Sequence, residues 1–161
     1  MERVETLLAQ MTLAEKIGQL NMVASTRAVT GPGGSHATHE GIRAGAIGSL
    51  LNLWGADEAW EVQRIAVDES RLSVPLLLGL DVIHGHRTIF PVPLAEACAF
   101  DPDLWERAAR AVAEETAADG VGLTFAPMID VSRDARWGRI VESPGEDPWV
   151  ASTFADRKSV V

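Results

Sequence analysis

"VPLLLGLDVIHGHRTIFP", residues 74–91, passes from a continuous apolar run into a loop that carries an acid, two histidines and an arginine. A run of strand length that is apolar at successive positions predicts a strand buried on both faces, the pattern of a parallel sheet. Asp81 stands where this predicted strand ends. Ligands of α/β sheets bind at the carboxyl ends of strands, so the stretch predicts both a fold class and a functional edge.

Two further apolar runs of strand length, residues 46–54 and 121–131, lie on either side of it in the chain. Residues 57–71 are patterned as a helix between the first two strands. The helix before the third strand has clear start and stop signals, with Asp101 as N-cap and Gly120 after its last turn. Thr12 and Glu15 have the spacing of a capping box, which predicts another short helix near the beginning of the chain.

Strands that alternate with helices predict parallel pairing through crossover helices, and hence an α/β fold. Two architectures fit this pattern: an open doubly wound sheet, and a (β/α)8 barrel of the TIM type, which needs about 250 residues. The chain of 161 residues would hold only the N-terminal portion of such a barrel. No GxGxxG follows a predicted strand, which disfavours the dinucleotide-binding form of the open sheet.

Composition and charge disfavour several classes of partner. The formal net charge of -9 and the pI near 4.8 disfavour nucleic acid, whose binding depends on neutralising phosphates with Lys and Arg. Cys98 is the single cysteine, so the chain has no intrachain disulfide. Residues 1–20 carry charges among their apolar positions, unlike a signal peptide or a membrane span. We expect a cytoplasmic protein, or a periplasmic or secreted one if the N-terminus is incomplete, without a nucleic-acid or membrane partner and of undetermined oligomeric state.

The loop that follows Asp81, residues 82–90, which we call the histidine loop, allows more than one interpretation. Asp81 either accepts hydrogen bonds from a ligand or caps its own loop by accepting backbone N–H bonds. His84 and His86 form an HxH pair at a strand end, so a metal-dependent barrel hydrolase is one alternative. Two imidazoles do not make a metal site, however, and the remaining histidines, His36 and His39, lie in an early loop. We therefore expect no bound metal.

A second polar cluster, "DARWGRIVESPGED" at residues 134–147, follows the third predicted strand. Its six charges of mixed sign could form a salt-bridged surface loop, in which exposed pairs contribute about 0 to 1 kcal/mol each. Trp137 favours a second interpretation. An indole face beside arginines and carboxylates can hold a sugar, because the ring covers C–H faces while the charged groups bind hydroxyls.

Taken together, "LLLGLDVIHGHRTIFPVPLAEACAF" (76–100) and "FAPMIDVSRDARWGRIVESPGEDP" (125–148) resemble the N-terminal barrel domain of glycoside hydrolase family 3, in particular that of bacterial β-glucosidases. The likeness runs from about Leu7 to about Phe154, and the two loops match in order and spacing. It implies the N-terminal portion of an incomplete TIM-type barrel. We expect residues 1–155 to be part of this domain.

The resemblance implies a retaining β-glycosidase that removes terminal non-reducing sugars, usually glucose, without a cofactor. It implies that Asp81 and Arg139 bind the same sugar, and that Arg136, Glu142 and Asp147 support the second loop. A non-catalytic sugar-binding module is a further alternative.

The two carboxyl groups of a retaining glycosidase, a nucleophile and an acid/base about 5 to 5.5 Å apart, belong in the family to later parts of the chain. We therefore expect no catalytic residue here and an inactive fragment. Asp81 paired with a carboxylate of the second loop is the alternative. An acid/base group needs a raised pKa, whereas an Asp that holds hydroxyls stays ionised, and this reasoning assigns Asp81 to substrate binding.

The last six residues, "DRKSVV", fit neither the helix expected after "EDPWVASTFA" nor the family pattern, and they correspond to the translation of a common sequencing adapter. We expect residues 156–161 to be a non-native tail. An incomplete barrel would also leave a strand edge and apolar faces in contact with water, which predicts poor solubility or self-association.

Overall fold

The computed structural model describes residues 2–25 and 39–159. The chain divides into two compact units. The described parts of Met1–Leu80 and Ala118–Leu123 form the first unit, and those of Asp81–Ala117 and Thr124–Val161 form the second.

The first unit contains the sheet. Its elements, in chain order, are α1 (Glu2–Gln10), α2 (Leu13–Gln19), β1 (Met22–Ala24), α3 (His39–Arg43), β2 (Ser49–Leu51), α4 (Ala56–Asp68) and β3 (Leu77–Leu80), followed by the start of β4 (Leu123–Thr124). The elements of the second unit are α5 (Pro93–Ala97), α6 (Pro102–Ala118), a 3-10 helix (Ile140–Glu142) and α7 (Pro148–Ser159).

The strands of the described residues follow one another in the sheet in chain order, β1-β2-β3-β4. The first three are parallel, with Val23 opposite Leu50 and Leu50 opposite Leu78. Doubly wound sheets reverse their strand order at a switch point, whereas a barrel adds each strand next to the previous one. The order therefore decides between the two predicted architectures, and the α/β fold of TIM-barrel type is confirmed.

The core of the first unit joins the sheet to its crossover helix. Leu50 on β2, Leu78 on β3 and Ile65 on α4 are each 1% exposed. Burying a side chain of this size contributes about 1.5–3 kcal/mol. On α4 the buried residues Val62, Ile65 and Ala66 recur at helical spacing, so one apolar face packs on the sheet. This packing fixes the strand that leads to Asp81.

The predicted helix signals lie where the sequence places them. Asp101 Oδ1 accepts hydrogen bonds from the backbone N–H groups of Asp103 and Leu104, both at 3.1 Å, and so caps α6. Gly120 follows the end of α6 with a φ of +83°. A Cβ at Gly120 would lie 2.4 Å from the Cβ of Ala59, so both backbone conformation and space require glycine there.

The second unit packs around an aromatic pair. Trp105 on α6 and Phe154 on α7 are 2% and 0% exposed, with ring centroids 5.3 Å apart and ring planes at 60°. The Trp105 indole N–H donates to the backbone oxygen of Glu96 at 2.9 Å. This bond satisfies the polar end of a buried indole and ties α5 to α6.

Three details differ from the expectations. The strand predicted at 121–131 is reduced to the two residues of β4, and the remainder includes Pro127, which has no N–H for a sheet hydrogen bond. The short strand β1 was not anticipated. Within the stretch predicted as an early loop, residues 26–38, with His36, lie outside the described part of the chain, and α3 begins at His39.

The expectation that the residues after Ala155 do not fit this helix is wrong for residues 156–159, since α7 continues to Ser159. Lys158, on its last turn, places Nζ 2.5 Å from the Glu96 carboxylate and 4.9 Å from the centroid of the Phe154 ring. Residues 156–159 thus pack as part of the second unit. Their non-native origin stays a prediction.

Candidate functional site

Asp81 directly follows β3 and is partly exposed. Its carboxylate accepts a hydrogen bond from the backbone N–H of Ile83. Partial burial raises the pKa of Asp81, and the nearby negative charge of Glu142 raises it further, whereas the positive charge of Arg139 and the Ile83 bond lower it. Asp81 therefore lies within electrostatic reach of two residues of the second polar cluster.

Arg139 directly precedes the 3-10 helix that ends at Glu142. Its Nε and one terminal nitrogen donate to Oε2 of Glu142, at 2.8 and 2.5 Å. This hydrogen-bonded pair raises the pKa of Arg139, and the charges of Asp81 and Asp130 add to the effect. Asp81 and Arg139, the two residues singled out in the sequence, thus act on each other electrostatically within the second unit.

Asp130 is a member of this cluster that the sequence reasoning did not single out. It lies in the stretch predicted as a strand, and its charge acts on Arg139. The available signal was an acid at the end of an apolar run, the same feature that drew attention to Asp81. Three carboxylates, those of Asp81, Asp130 and Glu142, thus act electrostatically on the Arg139 guanidinium.

The other charges of the second cluster are engaged locally. Arg136 donates from Nε and a terminal nitrogen to the two carboxylate oxygens of Asp134, at 2.9 and 2.7 Å. Asp147 Oδ1 caps α7 by accepting from the backbone N–H groups of Trp149 and Val150, at 2.8 and 3.0 Å. These contacts hold the backbone on both sides of Arg139.

The histidine loop after Asp81 is a tight hairpin. Gly85 and Ile89 form an isolated antiparallel bridge, and the backbone N–H of Phe90 donates to the backbone oxygen of His84 at 2.7 Å. Nδ1 of His84 is buried and has no hydrogen-bond partner among the residues described. Residues 2–25 and 39–159 contain no group of three or more His, Cys, Asp or Glu side chains that could hold a metal ion.

The pKa of Asp81 changes the argument for its role. The assignment to substrate binding relied on a carboxylate that stays ionised, yet the environment moves the pKa of Asp81 upwards, the direction expected of a proton donor. The pKa therefore no longer separates the two roles. Two other observations favour binding: the positive charge of Arg139 acts on Asp81, and Glu142, the carboxylate that also acts on Asp81, is hydrogen-bonded to Arg139.

Comparison with known proteins identifies a family. The family model described as Glycosyl hydrolase family 3 N terminal domain matches residues 12–159. The periplasmic β-glucosidase of Salmonella typhimurium (strain LT2) is 40% identical to this chain, over 95% of this chain and 20% of the relative.

Two crystal structures of β-glucosidases from Listeria innocua also superpose on the chain. One, in complex with isofagomine, has a TM-score of 0.85 and 38% identity, and the match covers 98% of this chain and 22% of that one. The other, a mutant in complex with laminaribiose, has a TM-score of 0.83 and 37% identity, with 98% and 23% covered. The chain thus spans about a fifth of the length of these proteins.

Proposed function

The chain belongs to the glycosyl hydrolase family 3 N-terminal domain family, and from this membership we propose that the whole protein hydrolyses terminal non-reducing β-D-glucosyl residues by a retaining mechanism. The similarity to β-glucosidases over nearly the whole chain supports this reaction rather than a metal-dependent one. The sugar ligands named in the two Listeria complexes support a carbohydrate substrate.

Within this reaction, Asp81 and Arg139 bind the sugar. An ionised carboxylate accepts hydrogen bonds from sugar hydroxyls, and a guanidinium donates to hydroxyl oxygens in a fixed planar geometry. Glu142 holds Arg139 through two hydrogen bonds to one carboxylate oxygen, which limits the rotamers of the arginine before a sugar binds. What carries the proposal is the mutual electrostatic influence of Asp81 and Arg139, each of which shifts the pKa of the other.

The chemical step needs a carboxylate that attacks the anomeric carbon and a carboxylic acid that protonates the leaving oxygen. We assign neither role to a residue of this chain. A covalent glycosyl-enzyme then forms, and water hydrolyses it after the acid has become the base. Asp81 and Arg139 serve both half-reactions, because the same sugar stays in place throughout.

The test is an assay of the protein encoded by the complete gene, with aryl β-D-glucoside and β-D-xyloside as substrates. We expect glucoside turnover that Asp81→Asn and Arg139→Met each lower by about 10- to 100-fold in kcat/KM, the loss of one charge-assisted hydrogen bond. Asp103→Asn is the matched control, since Asp103 is an exposed residue of the first turn of α6. Turnover unchanged in Asp81→Asn would contradict the binding role, and sugar binding without turnover would identify a binding module instead.

For the cellular location we propose the cytoplasm, the compartment expected in the sequence analysis. No described helix of the chain is long and apolar enough to cross a membrane. The Salmonella relative is named as periplasmic, so export is the competing outcome. Fractionation of cells that express the complete gene separates the two.

A further inference from the structure

Glu115 on α6 binds the tip of the histidine loop. Its Oε2 accepts hydrogen bonds from the backbone N–H groups of Arg87 and Thr88, at 3.0 and 2.9 Å, and its Oε1 accepts from the Thr88 hydroxyl at 2.6 Å. Hydrogen bonds from Thr88 and the Arg87 backbone lower the pKa of Glu115, so the carboxylate remains ionised and keeps its full capacity as an acceptor at neutral pH.

These bonds fix more than two residues, because the loop closes on itself. Gly85 forms an isolated antiparallel bridge with Ile89. Gly85 has a φ of +123°, and a Cβ at this position would lie 2.0 Å from the backbone oxygen of Thr88. The two arms of the hairpin are therefore in direct backbone contact. Holding Thr88 in place consequently holds Gly85 and the residues before it.

Apolar packing beneath the loop is incomplete. A cavity of about 50 Å³ lies between the loop and α6, and its lining includes Val82, His84 and Phe90 from the loop and Ala109 and Ala113 from α6. The lining side chains from α6 are small, so the apolar contact that they offer the loop is limited. The hydrogen bonds to Glu115 add a polar anchor to this contact.

The loop in turn holds Asp81. The backbone N–H of Ile83, at the beginning of the loop, donates to the Asp81 carboxylate. We propose that Glu115 is a positioning residue for substrate binding: by fixing the histidine loop from α6, it fixes the Ile83 N–H and thereby the orientation of the Asp81 carboxylate. This inference rests on the proposed role of Asp81 in sugar binding.

The first test measures the loop without any sugar. In the protein encoded by the complete gene, Glu115→Ala should increase deuterium exchange in peptides that cover residues 83–90 by about 10-fold or more, as expected when a local anchor is lost. Glu114→Gln is the matched control, because Glu114 is an exposed neighbour on the same helix without a hydrogen bond to the loop in the described part of the chain. Exchange unchanged by Glu115→Ala would overturn the proposal.

The second test is a double-mutant cycle on kcat/KM for the aryl glucoside. If Glu115 acts through Asp81, Glu115→Ala should lower kcat/KM by about 10-fold in the wild-type background and by less than about 2-fold when Asp81→Asn is already present. A merely structural role gives the same factor in both backgrounds, and that additive result overturns the proposal. An unchanged kcat/KM in Asp81→Asn alone would instead show that the proposed function of Asp81 is wrong, and the positioning role would fall with it.

Thr88→Val provides a milder variant if Glu115→Ala does not fold. It removes the hydroxyl bond at 2.6 Å and keeps both backbone bonds to Glu115. We expect a loss of about 2- to 5-fold in kcat/KM that disappears in the Asp81→Asn background. A loss that persists unchanged in that background would contradict the proposal as the additive result does.

Discussion

At the scale of single residues, the surroundings of Asp81 disfavour its ionised form. Partial burial and the negative charge of Glu142 both raise its pKa above the ordinary value of 3.8, and Arg139 offsets them only in part. Such an arrangement is typical of functional sites, where a group is held for its chemistry rather than for stability. The cluster of carboxylates therefore has measurable consequences for stability and for pH dependence.

Asp81→Asn should stabilise the fold at neutral pH while weakening sugar binding. Because the folded-state pKa of Asp81 lies above its unfolded value, ionisation costs stability as pH rises through that interval, and the amide removes this cost. We expect a higher Tm at pH 7 and a difference that vanishes below pH 3.8. A lower Tm in Asp81→Asn across the whole pH range would contradict this electrostatic picture.

Removing the charge of Glu142 and removing the charge of Arg139 should shift the pKa of Asp81 in opposite directions. Glu142→Gln removes a negative neighbour and should move the pKa of Asp81 downwards, whereas Arg139→Met removes a positive neighbour and should move it upwards. Carboxyl 13C NMR of Asp81 measures both shifts directly. Asp134→Asn, which breaks only the Arg136 pair, serves as the control. Equal titration in all four proteins would show that the cluster is not formed.

The sequence predicted part of this site. Asp81 was indicated by its place at a strand end, and Arg139 by a loop whose residue types and order resemble a known family. Asp130 and Glu115 were missed for different reasons. The strand prediction extended past Asp130, and Glu115 stands in a helix where a charged residue usually faces solvent. Its partners are backbone N–H groups 27 and 28 residues earlier, which no local pattern reveals.

At the scale of elements, α2 begins with a capping box that an arginine reinforces. Thr12 Oγ1 accepts from the backbone N–H of Glu15 at 3.2 Å, and Glu15 Oε2 accepts from the backbone N–H of Thr12 at 2.8 Å. Arg71 also donates to Glu15 Oε1 at 2.9 Å. Hydrogen bonds from Arg71, followed by those from Thr12, lower the pKa of Glu15 to about 2.

This lowered pKa predicts an acid-sensitive stabilisation. The contribution of Glu15 is fully present above its unfolded pKa near 4.5 and is lost as pH falls towards 2. Glu15→Gln should therefore lower the Tm at pH 7, and the difference should close between about pH 4.5 and 2. Glu5→Gln, an exposed change on α1, is the comparison variant. A Tm difference that persists at pH 2 would assign the loss to something other than charge.

The sequence predicted the ends of helices well, because neighbouring residues determine a cap. It predicted the strands poorly, because their extent depends on pairing with other strands. Thr12 and Asp101 form their caps as expected, because a cap depends on residues within one turn. The strands β1 and β4 have three and two residues. Alternation cannot be recognised over so few positions, and their existence depends on distant partners in the sheet.

At the scale of the whole molecule, one helix presents apolar side chains to water. One face of α2 and its C-cap residue carries three exposed apolar side chains at helical spacing. They are Leu13, Ile17 and Leu20, which are 74%, 59% and 88% exposed. Contiguous exposed apolar surface of this kind marks either an interface or a tendency to aggregate. The poor solubility expected from the sequence stays a prediction.

The chain of 161 residues should therefore self-associate at micromolar concentration. Replacing Ile17 and Leu20 together with lysine should increase the monomer fraction in light scattering after gel filtration, because the charges oppose association of that face. Lysine at exposed Gln10 is the control for added charge alone. A wild-type chain that is already monomeric, with sharp cooperative unfolding, would refute this expectation.

The ion pair between Glu96 and Lys158 has a bearing on the origin of the last residues. The two side chains are only 4% and 9% exposed; Lys158 bonds Oε2 of Glu96, and Oε1 has no hydrogen-bond partner among the residues described. Removing one partner of a buried pair costs about 3–5 kcal/mol. The genomic sequence at position 158 therefore has two informative outcomes. If it encodes an apolar residue, Glu96 needs another partner in the native protein. If it encodes Lys or Arg, the end of α7 is a native part of the protein.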